Sequence, residues 1–295
     1  MKSALKYIYN IIPFKKAFFV FLRSCCKPSE RIYQHLHFKG LFDVLYKGKK
    51  IFRLYHHGHI EENKIFWDGL ENGWEPVSIN IWIELCKIKT VIYDVGANTG
   101  LYGLTAKAIN PQAEVHCFEP LNGVVKFLKQ NNDINNFNIR IHQIALSDYD
   151  GNADVFLPDD KEFVYSVTVN QNTLDNKIKS RKISIPVSRI DTLIENNIIR
   201  IPDLVKLDVE RHESDVLSGM GKYLSIARPD FIIEILDHEQ AHKLNNIFNN
   251  LGYLYFNIDD KKRKIRKTDR IEKSDYWNYL ICKPETAQKL NLIHA

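Results

Sequence analysis

Long hydrophobic runs are scarce in this chain of 295 residues. The apolar stretch Ala17-Phe18-Phe19-Val20-Phe21-Leu22 is far too short to cross a bilayer, which takes about 20 residues. Pro13, Lys15 and Lys16 interrupt what precedes it. Arg23 follows it with no small-residue cleavage site, so it does not read as a signal peptide. Cysteine is sparse: Cys25, Cys26, Cys86, Cys117 and Cys282 are odd in number and have no C-x-x-C spacing. That argues against a disulfide framework and a zinc knuckle, and it fits a reducing, cytoplasmic setting. Charge of one sign is also modest. A net charge of +5 falls short of a dedicated nucleic-acid binder, and no nucleic-acid partner is expected. Internal repeats and low-complexity segments are absent.

A core is well supplied, with 44% hydrophobic and 26% charged residues. Residues 1–85 are rich in aromatics and His and are expected to form a mainly helical N-terminal cap. Within them Lys2, Lys6, Lys15, Lys16 and Arg23 lie along an apolar segment, so peripheral contact with the inner face of a membrane is one reading and packing on the main domain the other. From about residue 89 short apolar runs alternate with helical spacing, the sign of a parallel sheet with crossover helices. Strands are expected over 90–95, 115–118, 139–144, 204–209 and 231–236, and helices over 101–109, 121–132, 190–196 and 239–251. Further β pieces are expected over 153–157, 165–169 and 183–187. The runs 253–257 and 276–282 look like a closing pair around a basic turn, 261–267. The expected division is a cap over 1–85, a catalytic domain over 86–285 and a tail over 286–295.

The sharpest motif is Asp94-Val95-Gly96-Ala97-Asn98-Thr99-Gly100, in which a hydrophobic strand delivers an acid and then a Gly-bounded turn into a helix. Ligands of open α/β sheets bind at such strand ends. A dinucleotide site wants G-x-G-x-x-G; here the spacing is G-x-x-x-G, with Asn98 in place of the second Gly. Asp94 would repel a pyrophosphate but suits the amino and sulfonium cations of S-adenosylmethionine. Glu119, roughly 20 residues on, ends the next strand where an acid can accept both ribose hydroxyls. A third strand end carries Asp208, Glu210, His212 and Glu213. Methylating a hydroxyl needs an oxygen in line with the methyl and a base for the proton, and Asp208, Glu210 and His212 are the candidates. Carboxylates there could also hold a divalent cation, although no metal is expected. His56-His57-Gly58-His59 reads as a turn rather than a metal cluster.

In order along the chain, these motifs resemble the FkbM family of S-adenosylmethionine-dependent methyltransferases. The resemblance rests on Asp94 to Gly100, Phe118-Glu119-Pro120, Ala145-Leu146-Ser147-Asp148, Asp191-Thr192-Leu193, Lys206-Leu207-Asp208-Val209-Glu210 with Glu213, Val216-Leu217-Ser218-Gly219 and Pro229-Asp230-Phe231-Ile232-Ile233-Glu234. It implies an α/β class I methyltransferase fold: a Rossmann-like, mostly parallel sheet with an antiparallel closing strand and helices on both faces. It further implies O-methylation, most often of a sugar in a glycan or glycosylated metabolite. Asp94, Gly96, Asn98, Gly100 and Glu119 would line the cofactor, with Ala145 and Leu146 near the adenine, Glu75 near the amino group and Asp208 facing the reaction centre. One residue departs from the family pattern: Arg211 stands where the family has Gly, which permits φ > 0 cheaply. The alternatives are a glycan- or membrane-binding module that keeps the fold without turnover, and an NAD-dependent oxidoreductase.

Overall fold

The computed structural model describes residues 14–158 and 180–293. The β piece expected over 165–169 and the lysines at positions 2 and 6 lie outside the described residues. The chain divides into two compact units, Met1–Trp74 and Glu75–Ala295.

The first unit holds α1 (Lys15–Cys25), the single turn α2 (Glu30–Tyr33), β1 (Gly40–Tyr46), β2 (Lys49–His56) and α3 (Ile60–Asp68). β1 and β2 form an antiparallel hairpin that the sequence reading did not assign. Its cause is local. Phe42, Val44, Phe52 and Leu54 are buried, and Asp43 and Arg53 between them are exposed, which is the period of a half-buried strand. The core here is aromatic: Phe38 meets Phe66 at 4.8 Å between ring centroids, and Tyr33 stacks on Trp67 at 5.9 Å. His56 is fully buried, bonded to Asn63 and paired with Glu62, which gives it a packing role.

The second unit opens with α4 (Pro76–Cys86), so this helix belongs with the sheet domain, whereas the expected boundary lay at 85. Pro76 starts it, as suits a position without an intrahelical N–H bond. Its Trp82 is buried and donates to the Tyr102 carbonyl at 3.0 Å. There follow β3 (Val91–Val95), α5 (Leu101–Ile109), β4 (Glu114–Phe118), α6 (Asn122–Asp133), β5 (Arg140–His142), β6 (Ala145–Leu146), β7 (Gly151–Pro158), β8 (Ser180–Ser188), α7 (Ile190–Glu195) and β9 (Leu204–Leu207). The chain continues through α8 (Glu213–Ser218), α9 (Lys222–Ala227), β10 (Asp230–Glu234), α10 (His238–Phe248), β11 (Leu254–Asp259), β12 (Lys264–Thr268), β13 (Asn278–Cys282) and α11 (Pro284–Lys289). The Thr286 hydroxyl of α11 donates to Asp230 at 2.8 Å, so the start of the expected tail is fixed to the sheet.

The main sheet runs β12-β11-β13-β10-β9-β3-β4-β5. β5, β4, β3, β9 and β10 are parallel, and β13 runs antiparallel to β10 and β11. Helices cover both sides. This is the Rossmann-like arrangement with an antiparallel closing strand. β3, β9 and β10 are buried along their whole length, which is why they read as apolar runs broken only by Asp94, Lys206, Asp230 and Glu234. A small sheet, β6-β8-β7, packs Ala153, Val155, Ile185 and Val187 against Leu121 and Val124.

Candidate functional site

The strand order reverses at β3, with β4 on one side and β9 on the other, and a crevice at the carboxyl ends follows from that topology. The loops leaving β3 and β9 touch. Gly96 has φ +77°, and a Cβ there would lie 1.9 Å from the Asp208 carbonyl oxygen. The turn is fixed from below, because Gly96 and Ala97 both donate to the Phe118 carbonyl at 3.0 Å. Asn98 is left-handed at φ 50°, and its N–H donates to Glu119 Oε2 at 3.2 Å. Gly100 begins α5, packed so closely that a Cβ would strike the Leu128 side chain at 2.2 Å.

Glu119 also accepts from the Leu121 N–H at 2.9 Å. Burial pushes its carboxyl up to about 7, against the pull of these two amides. Asp94 is 2% exposed and holds the first turn of α5 by accepting from Gly103 at 2.8 Å. Burial raises it to about 7 as well.

A second set of charged groups surrounds Lys206, which is 1% exposed in the middle of the sheet. Its ammonium donates to Asp208 Oδ2 at 3.0 Å and lies 5.0 Å from the centroid of the Tyr102 ring. Burial would lower its pKa, but Asp208, Glu75 and Glu234 together hold it above the ordinary lysine value. Glu234 is hydrogen-bonded to Asp208, and burial followed by the Asp208 charge pushes its carboxyl up to about 10. Glu234 therefore carries the proton of the pair at neutral pH. Glu75 is half-buried, left-handed at φ 43°, and accepts from the Tyr102 hydroxyl at 2.5 Å and from Asn278. Burial raises its carboxyl, with Lys206 opposing.

Three buried oxygens on the segments flanking these strand ends lack a partner: Asn98 Oδ1 after β3, Glu213 Oε2 after β9 and Asn278 Oδ1 at the start of β13. All are acceptors. Of these, Asn98 Oδ1 and Asn278 Oδ1 could accept from a ligand rich in N–H and O–H donors, and S-adenosylmethionine is such a molecule.

The pattern of the methyltransferase FkbM domain matches residues 94–255, more than half of the chain. The chain belongs to the FkbM methyltransferase family. Among curated relatives, the 2-O-methyltransferase NoeI of Sinorhizobium fredii is 30% identical over 148 residues, 47% of this chain and 60% of its own. The 31-O-demethyl-FK506 methyltransferase FkbM of Streptomyces tacrolimicus is 28% identical over 155 residues, 44% of this chain and 59% of its own. The Methyltransferase 1 of Beauveria bassiana is 27% identical over 160 residues, 50% of this chain and 64% of its own. The chain thus spans less than two thirds of each of these relatives. The crystal structure of Methyltransferase FkbM from Methylobacillus flagellatus superposes with a TM-score of 0.41 at 17% identity, covering 66% of this chain and 44% of that one.

The family's Gly position, occupied here by Arg211, keeps the geometry that Gly would favour. Arg211 has φ 73° and Glu210 before it φ 56°. Four contacts hold the loop there. Glu213 Oε1 accepts from the N–H groups of Val209 and Arg211 at 3.2 Å each, Gln240 donates to the Arg211 carbonyl at 2.8 Å, and the Arg211 guanidinium lies 3.6 Å from Asp237. The half-buried Glu210 belongs to this strained turn. His212 is set apart from the Lys206 group: its Nε2 is 2.9 Å from the Ser147 hydroxyl and its Nδ1 3.3 Å from Asp215. Burial lowers its pKa. Leu146 is packed in the main core, and Ala145 lies partly buried against the small sheet.

Lys206 and Glu234 stand inside the family motifs without an evident role there, and Tyr102 and Asn278 lie outside those motifs. For Lys206 a signal existed. A lysine two residues before an aspartate in an otherwise apolar strand shares that strand's face with it, and a buried ammonium needs such a partner. Among the described residues no group of three or more His, Cys, Asp or Glu is arranged to hold a metal ion.

Proposed function

We propose that this chain transfers a methyl group from S-adenosylmethionine to a hydroxyl oxygen, and that the acceptor is a carbohydrate or glycoconjugate. One observation carries the reading. Asp94, Asp208, Glu234 and Glu75 gather about the carboxyl ends of the strands around the Lys206 cation, with Glu119 beside Asp94. With Glu234 protonated and Lys206 balancing Asp208, the remaining acids Asp94, Glu119 and Glu75 suit a cofactor with amino, sulfonium and hydroxyl groups better than a pyrophosphate, which disfavours the dinucleotide alternative. The names of two relatives, both O-methyl transfer enzymes as printed, support oxygen as the receiving atom.

In this reading Glu119 accepts the ribose hydroxyls through the lone pairs its two backbone donors leave open. Gly96, Asn98 and Gly100 shape the turn over the cofactor, and Ala145 and Leu146 flank the adenine. Asp94 and Glu75 face the positive end. The bound cofactor supplies an electrophilic methyl whose carbon–sulfur bond breaks as the carbon–oxygen bond forms, the electron pair staying on sulfur. The hydroxyl proton goes to a base. Asp208 is the best placed of the three candidates, because Lys206 fixes its orientation and Glu234 already holds a proton beside it. Glu210, in the strained turn, and His212, tied to Ser147 and Asp215, follow behind it.

A separate observation favours peripheral membrane contact. Phe14, Phe18 and Phe21 are 83%, 59% and 63% exposed and recur at one-stripe helical spacing, with Lys16 exposed nearby. Among the described residues no helix is long and apolar enough to cross a membrane.

The test is calorimetric titration with S-adenosylmethionine and S-adenosylhomocysteine, followed by incubation with radiolabelled S-adenosylmethionine and glycan fractions. Binding of both and label in a glycan are expected. No heat with either ligand would refute the reading, and binding without transfer to any acceptor would favour the inactive module.

A further inference from the structure

Six of the seven residues 261–267 are Lys or Arg, and two acids, Asp259 and Asp260, stand just before them. The acids would offset part of that charge if they faced the same solvent. They are turned inward instead. Asp259 is buried and accepts from the Lys262 N–H at 2.8 Å, which shapes the turn between β11 and β12. Asp260 accepts from the Val77 and Ser78 N–H groups at 2.7 Å and 3.0 Å and from the Ser78 hydroxyl at 2.8 Å. Lys261, Lys262 and Arg263 are left exposed at the tip of the hairpin.

This tip lies at the end of the sheet where the acids of the crevice gather. Ile258 stands opposite Asn278 on β13, and Asn278 opposite Glu234 on β10, so the chain leaves β11 past the carboxyl ends of the parallel strands. Side-chain contacts give the same placement. Asp260 holds the first turn of α4 just after Glu75, and Asn278 reaches Glu75 itself. The Lys262 side chain is directed by a contact of its own: its ammonium donates to the Tyr276 hydroxyl at 2.8 Å. Tyr276 precedes Asn278 by two residues, at most about 7 Å along the chain. The other cations of the run stand elsewhere. Lys264 and Arg266 alternate onto the sheet face opposite to that of Asn278, and Lys267 pairs with Phe256, farther from the carboxyl ends.

The Lys262–Tyr276 contact presents donors to solvent. An ammonium has three N–H bonds, of which the phenol takes one, and the phenol keeps its own O–H. Asp275 is the further acid acting on this ammonium, against three cations at the tip. A phosphoryl group accepts from such donors. Deeper in the crevice it would meet the negative charge of Asp208 and Glu75. An acceptor sugar joined through phosphate to a carrier satisfies both conditions, with its ring among the acids and its phosphate at the rim. A flat anionic membrane would use Lys264, Arg266 and Lys267 as much as Lys262. We propose that Lys262 and Tyr276, with Lys261 beside them, bind the phosphate through which the acceptor sugar is joined to its carrier, a nucleotide or a lipid.

The proposal rests on the methyl-transfer reading above, and its test separates the two. The full chain is titrated calorimetrically with inorganic pyrophosphate, with and without saturating S-adenosylhomocysteine. Uridine-diphosphate glucose, farnesyl-diphosphate glucose and methyl glucopyranoside are then tried as acceptors of radiolabelled methyl. Saturable pyrophosphate binding is expected, weakened roughly tenfold in Lys262→Ala. A diphosphate-linked sugar is expected to outperform the methyl glycoside, and the form preferred tells nucleotide from lipid carrier. For that acceptor the loss should appear as a rise in KM rather than a fall in kcat, roughly tenfold in Lys262→Ala and roughly threefold in Tyr276→Phe. Lys264→Ala combined with Arg266→Ala should leave KM within about twofold. Pyrophosphate binding that is absent, or unchanged in Lys262→Ala, overturns the proposal. So does a methyl glycoside that serves as well as its linked form, or an equal effect of the Lys264 and Arg266 pair, which would mark the hairpin as a diffuse anionic-surface contact. An equal loss of S-adenosylhomocysteine affinity in Lys262→Ala would assign the pair to the cofactor carboxylate and overturn it too. Failure of the unaltered protein to bind S-adenosylhomocysteine overturns the methyl-transfer reading, and the pyrophosphate titration without cofactor then decides the anion site by itself.

Discussion

Replacing Lys206 by Met tests whether the site is an electrostatic assembly or merely a set of polar residues at strand ends. The methionine keeps the length and loses the charge. In the unaltered protein Lys206 is 1% exposed and faces Asp208 at 3.0 Å, with Glu75 and Glu234 also acting on it. Glu234 holds its proton, so the group that loses its hydrogen-bonded counterion is Asp208, while Glu75 loses the cation that opposes the upward push of burial on its carboxyl. Removing one partner from a buried ion pair costs about 3–5 kcal/mol, a large share of the roughly 5–15 kcal/mol that holds a domain together. The loss should depend on pH in one direction. The lysine pKa is raised, so its contribution is complete throughout the range below the ordinary lysine value and does not itself vary there. The carboxylates do vary. With the cation gone, one of them takes up a proton as pH falls, and the repulsion is relieved. Urea unfolding at about pH 8 and about pH 5.5 should therefore show the full penalty at the higher pH and a smaller one at the lower. Lys206→Met combined with Glu75→Gln should recover part of the loss. A penalty below about 1 kcal/mol, or one identical at both pH values, would refute the idea that Lys206 balances this cluster.

The stability of the unliganded protein should fall as pH rises through about 7, because Asp94, Glu119 and Glu213 are all pushed up to about 7 by burial, so their contribution is present below the unfolded carboxylate range and lost above it. Melting temperatures across that range check this, and a flat profile would count against it. Saturating S-adenosylmethionine should raise the melting temperature more at the alkaline end. Glu119→Ala should weaken S-adenosylhomocysteine binding by about 10- to 100-fold in calorimetry, the worth of one or two hydrogen bonds to a charged group. Arg211→Gly should raise the urea midpoint by an amount equal to about 1 kcal/mol, since φ 73° strains any residue with a Cβ and the ion pair lost with it is half exposed. Replacing Phe14, Phe18 and Phe21 together by Ser should abolish flotation with anionic vesicles and leave the melting temperature within about 2 °C; flotation that survives would dismiss the aromatic stripe as the contact.

What could be read from the sequence, and what could not, follows from the range of the interactions involved. β3 and β9 are legible because a strand buried on both faces is apolar but for a paired charge, here Asp94 and Lys206, and the turn after β3 is legible because Gly96 and Gly100 stand where no Cβ fits. Glu119 is legible by its spacing from that turn. The β1–β2 hairpin is local too, but its alternation is short and set among aromatic and histidine residues that blur the period. The setting of Asp208 is not legible, for a different reason. The Asp208 environment is completed by Glu75 from before the first strand of the sheet and by Glu234 from the next strand along, both far away in sequence. No periodicity records such contacts. Arg211 shows the opposite error. By itself it argues against a left-handed turn, yet the turn is there, because Glu213, Gln240 and Asp237 outweigh the preference of one residue. Glu213 is the informative case. A carboxylate that binds two loop amides and is itself fully buried is costly, and it is kept where the loop it fixes carries Asp208. The strain at 210–211 and the buried acid at 213 are thus two parts of one device, and its product is the position of the Asp208 carboxylate.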